Sequence, residues 1–183
     1  SKFFPRSHNM GVKKTLFEKI GGFGSLRHGQ DIELSNRIIN EQAVVKLLDN
    51  AIVYHRRRTT LFKFFRQVFN WGVARVNLAK IDRKMLQLVH FLPSVATLTF
   101  FLSIFGIFFY PNVFIRSMYF YFMILSIICL YGGIKTQNIK VLFYLFLVIP
   151  FQILGYGSGF ILAFIKRFIF GQSSFIGFEK KYY

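Results

Sequence analysis

Acidic residues are scarce in this chain, which has 7 Asp and Glu against 24 Lys and Arg and a formal net charge of +17 over 183 residues. Such an excess of positive charge indicates a negatively charged partner. The chain is also 54% hydrophobic and contains 26 phenylalanines, which is too apolar for a typical soluble nucleic-acid-binding protein. The composition therefore predicts contact with an anionic membrane surface or a phosphorylated lipid.

Cysteine occurs only once, at Cys129 inside an apolar run, which excludes an intrachain disulfide and a cysteine metal site. A Walker loop, a Rossmann glycine pattern and a Ser-His-Asp set are also missing. The only aspartates are Asp31, Asp49 and Asp82, so no D-x-D motif occurs. The chain begins "SKFFPRSHN" without an initiator Met or signal-peptide pattern, and we expect it to be a fragment.

Charge is nearly absent from the second half of the chain. Between residues 90 and 133 the only formal charge is Arg116. Apolar runs at about 91–110, 117–134 and 141–165 approach the ~20 residues that cross a bilayer, with "YPNVFIR" expected as a tight loop after the first. We therefore predict two to three transmembrane helices, the third either kinked at Pro150 or broken and partly re-entrant.

Basic residues before the first apolar run predict that the N-terminal half faces the cytoplasm. These residues are Arg75, Lys80, Arg83 and Lys84. With three spans, Lys166 and Arg167 would lie outside, which the same rule disfavours, so the side of the C-terminus stays open.

The first half contains the patterns of mixed secondary structure. Helices are predicted at 13–20, before Gly21 and Gly22, and at 31–42. The β-branched runs "AVVKLL" and "AIVYH" around "DN" predict two strands joined by a turn. Residues 60–81 form an amphipathic aromatic helix, predicted to lie in the lipid headgroup region or, alternatively, to pack on the protein core.

Three groups in this half could carry chemistry. Asp31 follows a glycine at a helix start, where it could cap the helix, accept a proton from a hydroxyl or bind a sugar. Glu33 points about 200° away from it on a helix and is expected in solvent. His55 could bind a divalent metal or cap a turn. Arg56, Arg57 and Arg58 could bind phosphate or anchor the chain on anionic lipid.

The order of these parts resembles family 2 glycosyltransferases of the GT-A fold. Asn9, "GGF" (Gly21, Gly22 and Phe23), "GQDIELSNRI", "AIVYHRRRTT" and an aromatic helix with "QVFNWG" follow one another as in the C-terminal part of that catalytic domain. The resemblance covers residues 1 to about 90. It implies an α/β fold, the C-terminal portion of an incomplete GT-A catalytic domain, followed by an all-α transmembrane region of two to three helices.

The resemblance also implies a domain organisation. Residues 1–59 would be the C-terminal part of the catalytic domain, and 60–90 an amphipathic interfacial region. Residues 91–170 would hold the transmembrane helices, and 171–183 a basic C-terminal tail. The implied location is a bacterial cytoplasmic membrane, with the catalytic part facing the cytoplasm.

The family's roles transfer to matching positions. Asp31 would be the catalytic base of an inverting transfer, and Gln30 stands where the family usually has Glu. The implied substrate-binding residues are Gly21, Gly22, Phe23, Gln30, Arg56, Arg57, Arg58 and Trp71. His55 would help hold a divalent metal, Mg²⁺ or Mn²⁺, whose main ligands would belong to a nucleotide-binding half that this chain does not contain.

The implied activity is transfer of a sugar from a nucleotide-diphosphate sugar to a lipid-linked or membrane-proximal acceptor. This chain alone is expected to be inactive. Two alternatives remain from the residues: a multi-span membrane protein without chemistry, whose basic N-terminal half binds anionic lipid, and a membrane-tethered nucleic-acid-binding module.

Overall fold

The computed structural model of the protein describes residues 5, 9–54, 60–173 and 175–178. The chain divides into two compact units, Ser1–Arg57 and Arg58–Tyr183. In the order of the chain, the helices of the described residues are α1 (Lys14–Lys19), α2 (Gln30–Asn40), α3 (Leu61–Ile81), α4 (Leu92–Gly106), α5 (Pro111–Thr136) and α6 (Ile139–Phe164). Short 3-10 turns at Arg83–Met85 and Leu88–Phe91 precede α4, and a π-helical turn at Ile165–Ile169 extends α6.

The predicted α/β fold is wrong for the described part of the chain, which is 72% helical and has no strand. Residues 43–48 and 51–54 form no ladder, although the Ala51 amide donates to the Leu48 carbonyl at 3.1 Å and closes the predicted turn. A strand needs a partner that takes up its amides and carbonyls, and these residues pair with no described segment. Val44 is 96% exposed and Ile52 73%, so β propensity alone does not create a sheet here.

The two predicted helices of the first unit are confirmed to within two residues. α1 ends at Lys19, before Gly21 and Gly22, and α2 begins directly after Gly29. Leu34 and Ile38 are buried on α2, as its apolar periodicity requires. The side chains of Lys19 and Glu41 form an ion pair that joins the end of α1 to the residue following α2.

The predicted amphipathic helix is confirmed as α3. The hydroxyl of Thr60 accepts the amide of Lys63 at 3.3 Å and caps its start. One face of α3 packs along α6 and buries Val68, Val73 and Val76. Leu61, Phe62 and Trp71 remain exposed on α3.

Close contact between α3 and α6 depends on glycine. A Cβ at Gly159 would stand 2.1 Å from the Phe69 carbonyl oxygen, and one at Gly72 would stand 2.2 Å from the Tyr156 carbonyl oxygen. Only glycine lets two helix backbones approach this closely, a packing mode common among membrane helices. Phe65 contacts Phe151 and Arg167 contacts Asn77, so α3 and α6 run in the same direction.

Three helical stretches are long and apolar enough to span a membrane by length and composition: Leu88–Gly106, Pro111–Thr136 and Ile139–Ile169. At most 17% of the apolar 18-residue core of each stretch is buried inside the protein, and such exposed apolar surface suits an integral membrane protein. The expected loop after the first run is largely helical, because α5 begins at Pro111, where proline's missing amide costs nothing. The third stretch stays helical through Pro150, in contrast to the broken alternative.

The segment after α6 folds back along α3. The Asn77 side-chain amide donates to the Phe175 carbonyl at 2.8 Å, and the Asn70 side-chain oxygen accepts the Phe178 amide at 3.1 Å. These asparagines are two helical turns apart and therefore share one face of α3. The centroids of the Phe178 and Phe69 rings are 4.7 Å apart. This ring contact adds apolar packing to the two hydrogen bonds.

Replacing Gly159 with alanine should lower the unfolding free energy of the second unit by about 1–3 kcal/mol, because the new methyl group meets backbone and not a mobile side chain. Gly132→Ala is the matched control, since its Cβ meets only the side chain of Leu145, chiefly the terminal Cδ1 atom, which can rotate away. The unfolding free energy of both variants is measured by unfolding the full chain in detergent while monitoring Trp71 fluorescence. Equal stability of the two variants would contradict this packing.

Candidate functional site

The glycine turn between α1 and α2 adopts a conformation that few other residues tolerate. Gly21 and Gly22 have φ values of +75° and +66°, in the left-handed region. A Cβ at Gly22 would lie 3.2 Å from the Phe17 ring. Phe23 contacts Phe17 edge to face at 5.7 Å between ring centroids and is 46% exposed. The turn therefore presents an aromatic side chain at the surface of the first unit.

Arg37 fastens this turn to α2. Its guanidinium donates to the carbonyl oxygens of Ile20 and Gly22, the latter at 2.7 Å from Nη2. The same group donates to both carboxylate oxygens of Glu33, at 2.6 Å from Nε and 2.8 Å from Nη2. A bidentate ion pair of this kind is geometrically specific. One side chain thus links the end of α1, the glycine turn and the first turns of α2.

Glu33 is buried and paired, so the expectation of a solvated carboxylate is wrong. Its relative exposure is 7%, and a Cβ at Gly24 would lie 2.9 Å from its Oε2 atom. The sequence contained a signal for this pair, because Glu and Arg at positions i and i+4 face each other on a helix. The carbonyl partners of Arg37 could not be read from spacing, since they depend on the path of the turn.

Asp31 lies in the first turn of α2. Gly29 precedes the helix with φ +82° in the left-handed region, and Gln30 is the first helical residue. The Oδ1 atom of Asp31 accepts the Ile32 amide at 3.0 Å, and the side chain is half-buried. The helix dipole favours a negative charge at this position. A carboxylate here satisfies the helix start and can also accept a proton from a bound hydroxyl.

The two acids of α2 point to different faces of the helix. Asp31, Ser35 and Ile38 recur at helical spacing on one face, and Glu33 and Arg37 occupy another. Ser35 and Ile38 line a groove of about 590 Å³ whose other walls include Lys13, Lys46 and Leu48. None of the predicted site residues that the structure describes lines this groove. Asp31 nevertheless stands one helical turn before Ser35 on the groove side of α2.

The remaining predicted site residues are not in the described part of the first unit. His55, Arg56, Arg57 and Arg58 lie outside the described residues, so their predicted roles stay predictions. Trp71 belongs to α3 of the second unit and is 50% exposed. Within the described ranges no group of three His, Cys, Asp or Glu side chains could hold a metal ion, so these residues alone do not form the predicted Mg²⁺ or Mn²⁺ site.

Comparison with known proteins adds no relative: no family model, no curated protein and no solved structure matches the chain.

Arg37→Gln should lower the opening free energy of α2 by about 2–3 kcal/mol, since it leaves the carboxylate of Glu33 buried without its partner. The control is Lys14→Gln, which breaks an i,i+4 pair with Glu18 at 3.8 Å whose side chains are 86% and 61% exposed and which contributes little. Amide hydrogen exchange of residues 14–40 measures both effects. If exchange in α2 is unchanged in Arg37→Gln, the ion pair does not hold the turn.

Proposed function

We propose that this chain is the acceptor-side part and membrane region of a family 2 glycosyltransferase that uses a nucleotide-diphosphate sugar. The observation that carries the proposal is the position of Asp31, a half-buried carboxylate in the first turn of α2, two residues after a glycine in the left-handed conformation. The fastened glycine turn on the same helix also supports it. The proposal does not require a sheet within the described residues.

In this reaction Asp31 acts as the general base. An acceptor hydroxyl lies within hydrogen-bonding distance of its carboxylate and attacks the anomeric carbon of the sugar. The bond from that carbon to the diphosphate oxygen breaks as the new glycosidic bond forms, and the hydroxyl proton passes to Asp31. A single displacement of this kind inverts the anomeric centre.

Glu33 is a poor candidate for the same role. Both of its carboxylate oxygens accept hydrogen bonds from Arg37, and proton transfer to either oxygen would weaken a buried ion pair. Of the two acids at the start of α2, Asp31 is therefore assigned as the base and Glu33 as a structural partner of Arg37.

The acceptor class follows from the second unit. Three helices suited to a bilayer favour an acceptor that is lipid-linked or lies close to the membrane. A cytoplasmic orientation of the first unit, in a bacterial cytoplasmic membrane, belongs to the same proposal and is supported by Lys80, Arg83 and Lys84 before α4.

A second candidate is a membrane protein without enzymatic activity whose basic N-terminal half binds anionic lipid. The observation that favours it is the hydrogen bond that Asp31 Oδ1 accepts from the Ile32 amide at 3.0 Å, which would leave Asp31 as a helix cap alone. It predicts that removal of the Asp31 charge changes helix stability only.

Asp31→Asn should lower sugar transfer by about 10²–10⁴-fold, the usual contribution of general base catalysis. The assay follows labelled sugar from the nucleotide donor into the lipid fraction of membranes that contain the complete enzyme. Asp49→Asn makes the same chemical change in an exposed turn and should leave the rate unaltered. Full activity of Asp31→Asn would eliminate this residue as the base.

A further inference from the structure

Five cations gather where α3 and α6 end. They are Lys80, Arg83, Lys84, Lys166 and Arg167. Asp82 is the only acidic residue among the described residues of the second unit. At most one of the five charges can therefore be neutralised by a described carboxylate of that unit.

Specific contacts hold the two basic stretches together. The Nη1 atom of Arg167 donates to the Asn77 side-chain oxygen at 2.6 Å, and the Nζ atom of Lys80 lies 4.3 Å from the centroid of the Phe168 ring. The returning segment closes the arrangement, because Asn77 also donates to the Phe175 carbonyl. Residues 80–84 and 166–173, together with Phe175, consequently form one surface, which we call the basic end.

Aromatic side chains are interleaved with the cations at the basic end. Lys166 stands 4.4 Å from the centroid of Phe175, and Phe168, Ile169 and Phe170 are exposed beside it. Lysine and arginine that keep their stems on apolar surface while their charges reach water are typical of the membrane–water interface. A surface that is cationic, aromatic and exposed complements the negative charge of lipid headgroups. It also suits the membrane–water interface, where the headgroups lie.

The packing of α4 against α6 indicates how the helices cross the membrane and therefore which face the basic end occupies. The Pro93 carbonyl oxygen would lie 2.6 Å from a Cβ at Gly157, so α4 begins beside the C-terminal half of α6. Gly157 is about 27 Å along α6 from Ile139 at 1.5 Å per residue. If α4, α5 and α6 each crossed the bilayer fully in turn, the start of α4 would instead lie beside the start of α6.

We propose that the basic end is a docking surface for anionic phospholipid headgroups and that residues 80–84, 166–173 and 175–178 lie at the same membrane face. The chain between them then crosses the bilayer twice, through α5 and α6. The stretch Leu88–Gly106, although long and apolar enough to span a membrane, does not cross it in this arrangement. This arrangement is independent of any enzymatic activity, and it places Lys166 and Arg167 on the side that the positive-inside rule favours.

The first test measures lipid preference. The chain has one tryptophan, Trp71 in α3, so energy transfer from Trp71 can report dansyl-labelled phosphatidylglycerol or phosphatidylcholine added to neutral nanodiscs that hold the full chain. We expect tighter association of phosphatidylglycerol. Lys80→Gln with Lys166→Gln should weaken it about 25-fold, since each cation contributes about fivefold at low salt.

The control removes the same charge at the other end of the helices, by Lys135→Gln with Lys140→Gln, and should preserve the preference. Lys80→Arg with Lys166→Arg keeps the charge and should also preserve it. Equal binding of the two lipids by the unchanged chain would overturn the proposal, as would equal losses in both glutamine pairs. Displacement of the labelled lipid by inorganic phosphate would overturn it as well, because the surface would then bind a soluble anion.

The second test measures sidedness. In a Cys129→Ser background, single cysteines are introduced by Lys84→Cys, Gln137→Cys and Gln172→Cys and labelled with a membrane-impermeant maleimide in intact and inside-out vesicles. Positions 84 and 172 should label in the same vesicle type, and position 137, between α5 and α6, in the other. Labelling of positions 84 and 172 from opposite faces would show an odd number of crossings and would overturn the shared face.

Discussion

The structure of the second unit depends on backbone contact between α3 and α6. Gly72, Gly155 and Gly159 remove the side chains that would hold the two helices apart. Between membrane helices the hydrophobic effect supplies little attraction, because lipid tails are as apolar as the side chains they replace. Close approach and dispersion must therefore hold the pair together. A single methyl group at this contact acts on the whole unit, since α4 and the returning segment both pack on the pair.

This contact also determines where polar groups can lie. Because α3 meets α6 through its small and apolar side, Asn70 and Asn77 face the returning segment and satisfy backbone groups there. Arg66 lies on α3 one turn before Asn70. Its guanidinium carbon lies 4.3 Å from the centroid of the Phe62 ring and 5.3 Å from that of the Phe178 ring. Polar and cationic side chains of α3 are thus held by hydrogen bonds and ring faces, an arrangement suited to a helix at a membrane boundary.

Local structure was largely predictable from the sequence, and long-range pairing was not. Periodicity and glycine positions predicted α1, α2 and α3, because helices depend on neighbours within four residues. The predicted sheet was wrong because a strand depends on a partner that no local pattern supplies. Asn77 and Phe175 are 98 residues apart, and no spacing rule joins them. The start of α2 at Asp31 was predictable, whereas the burial of Glu33 required knowledge of the turn that Arg37 fastens.

The acids of α2 lie on two faces of the helix and have different surroundings. Glu33 and Arg37 form an ion pair in which Glu33 is buried. Using either charge for another interaction would weaken this pair. The adjoining face carries Asp31, Ser35 and Ile38, and the last two line a groove. Rotation by about 200° between positions 31 and 33 separates a carboxylate that fixes the turn from one at the helix start.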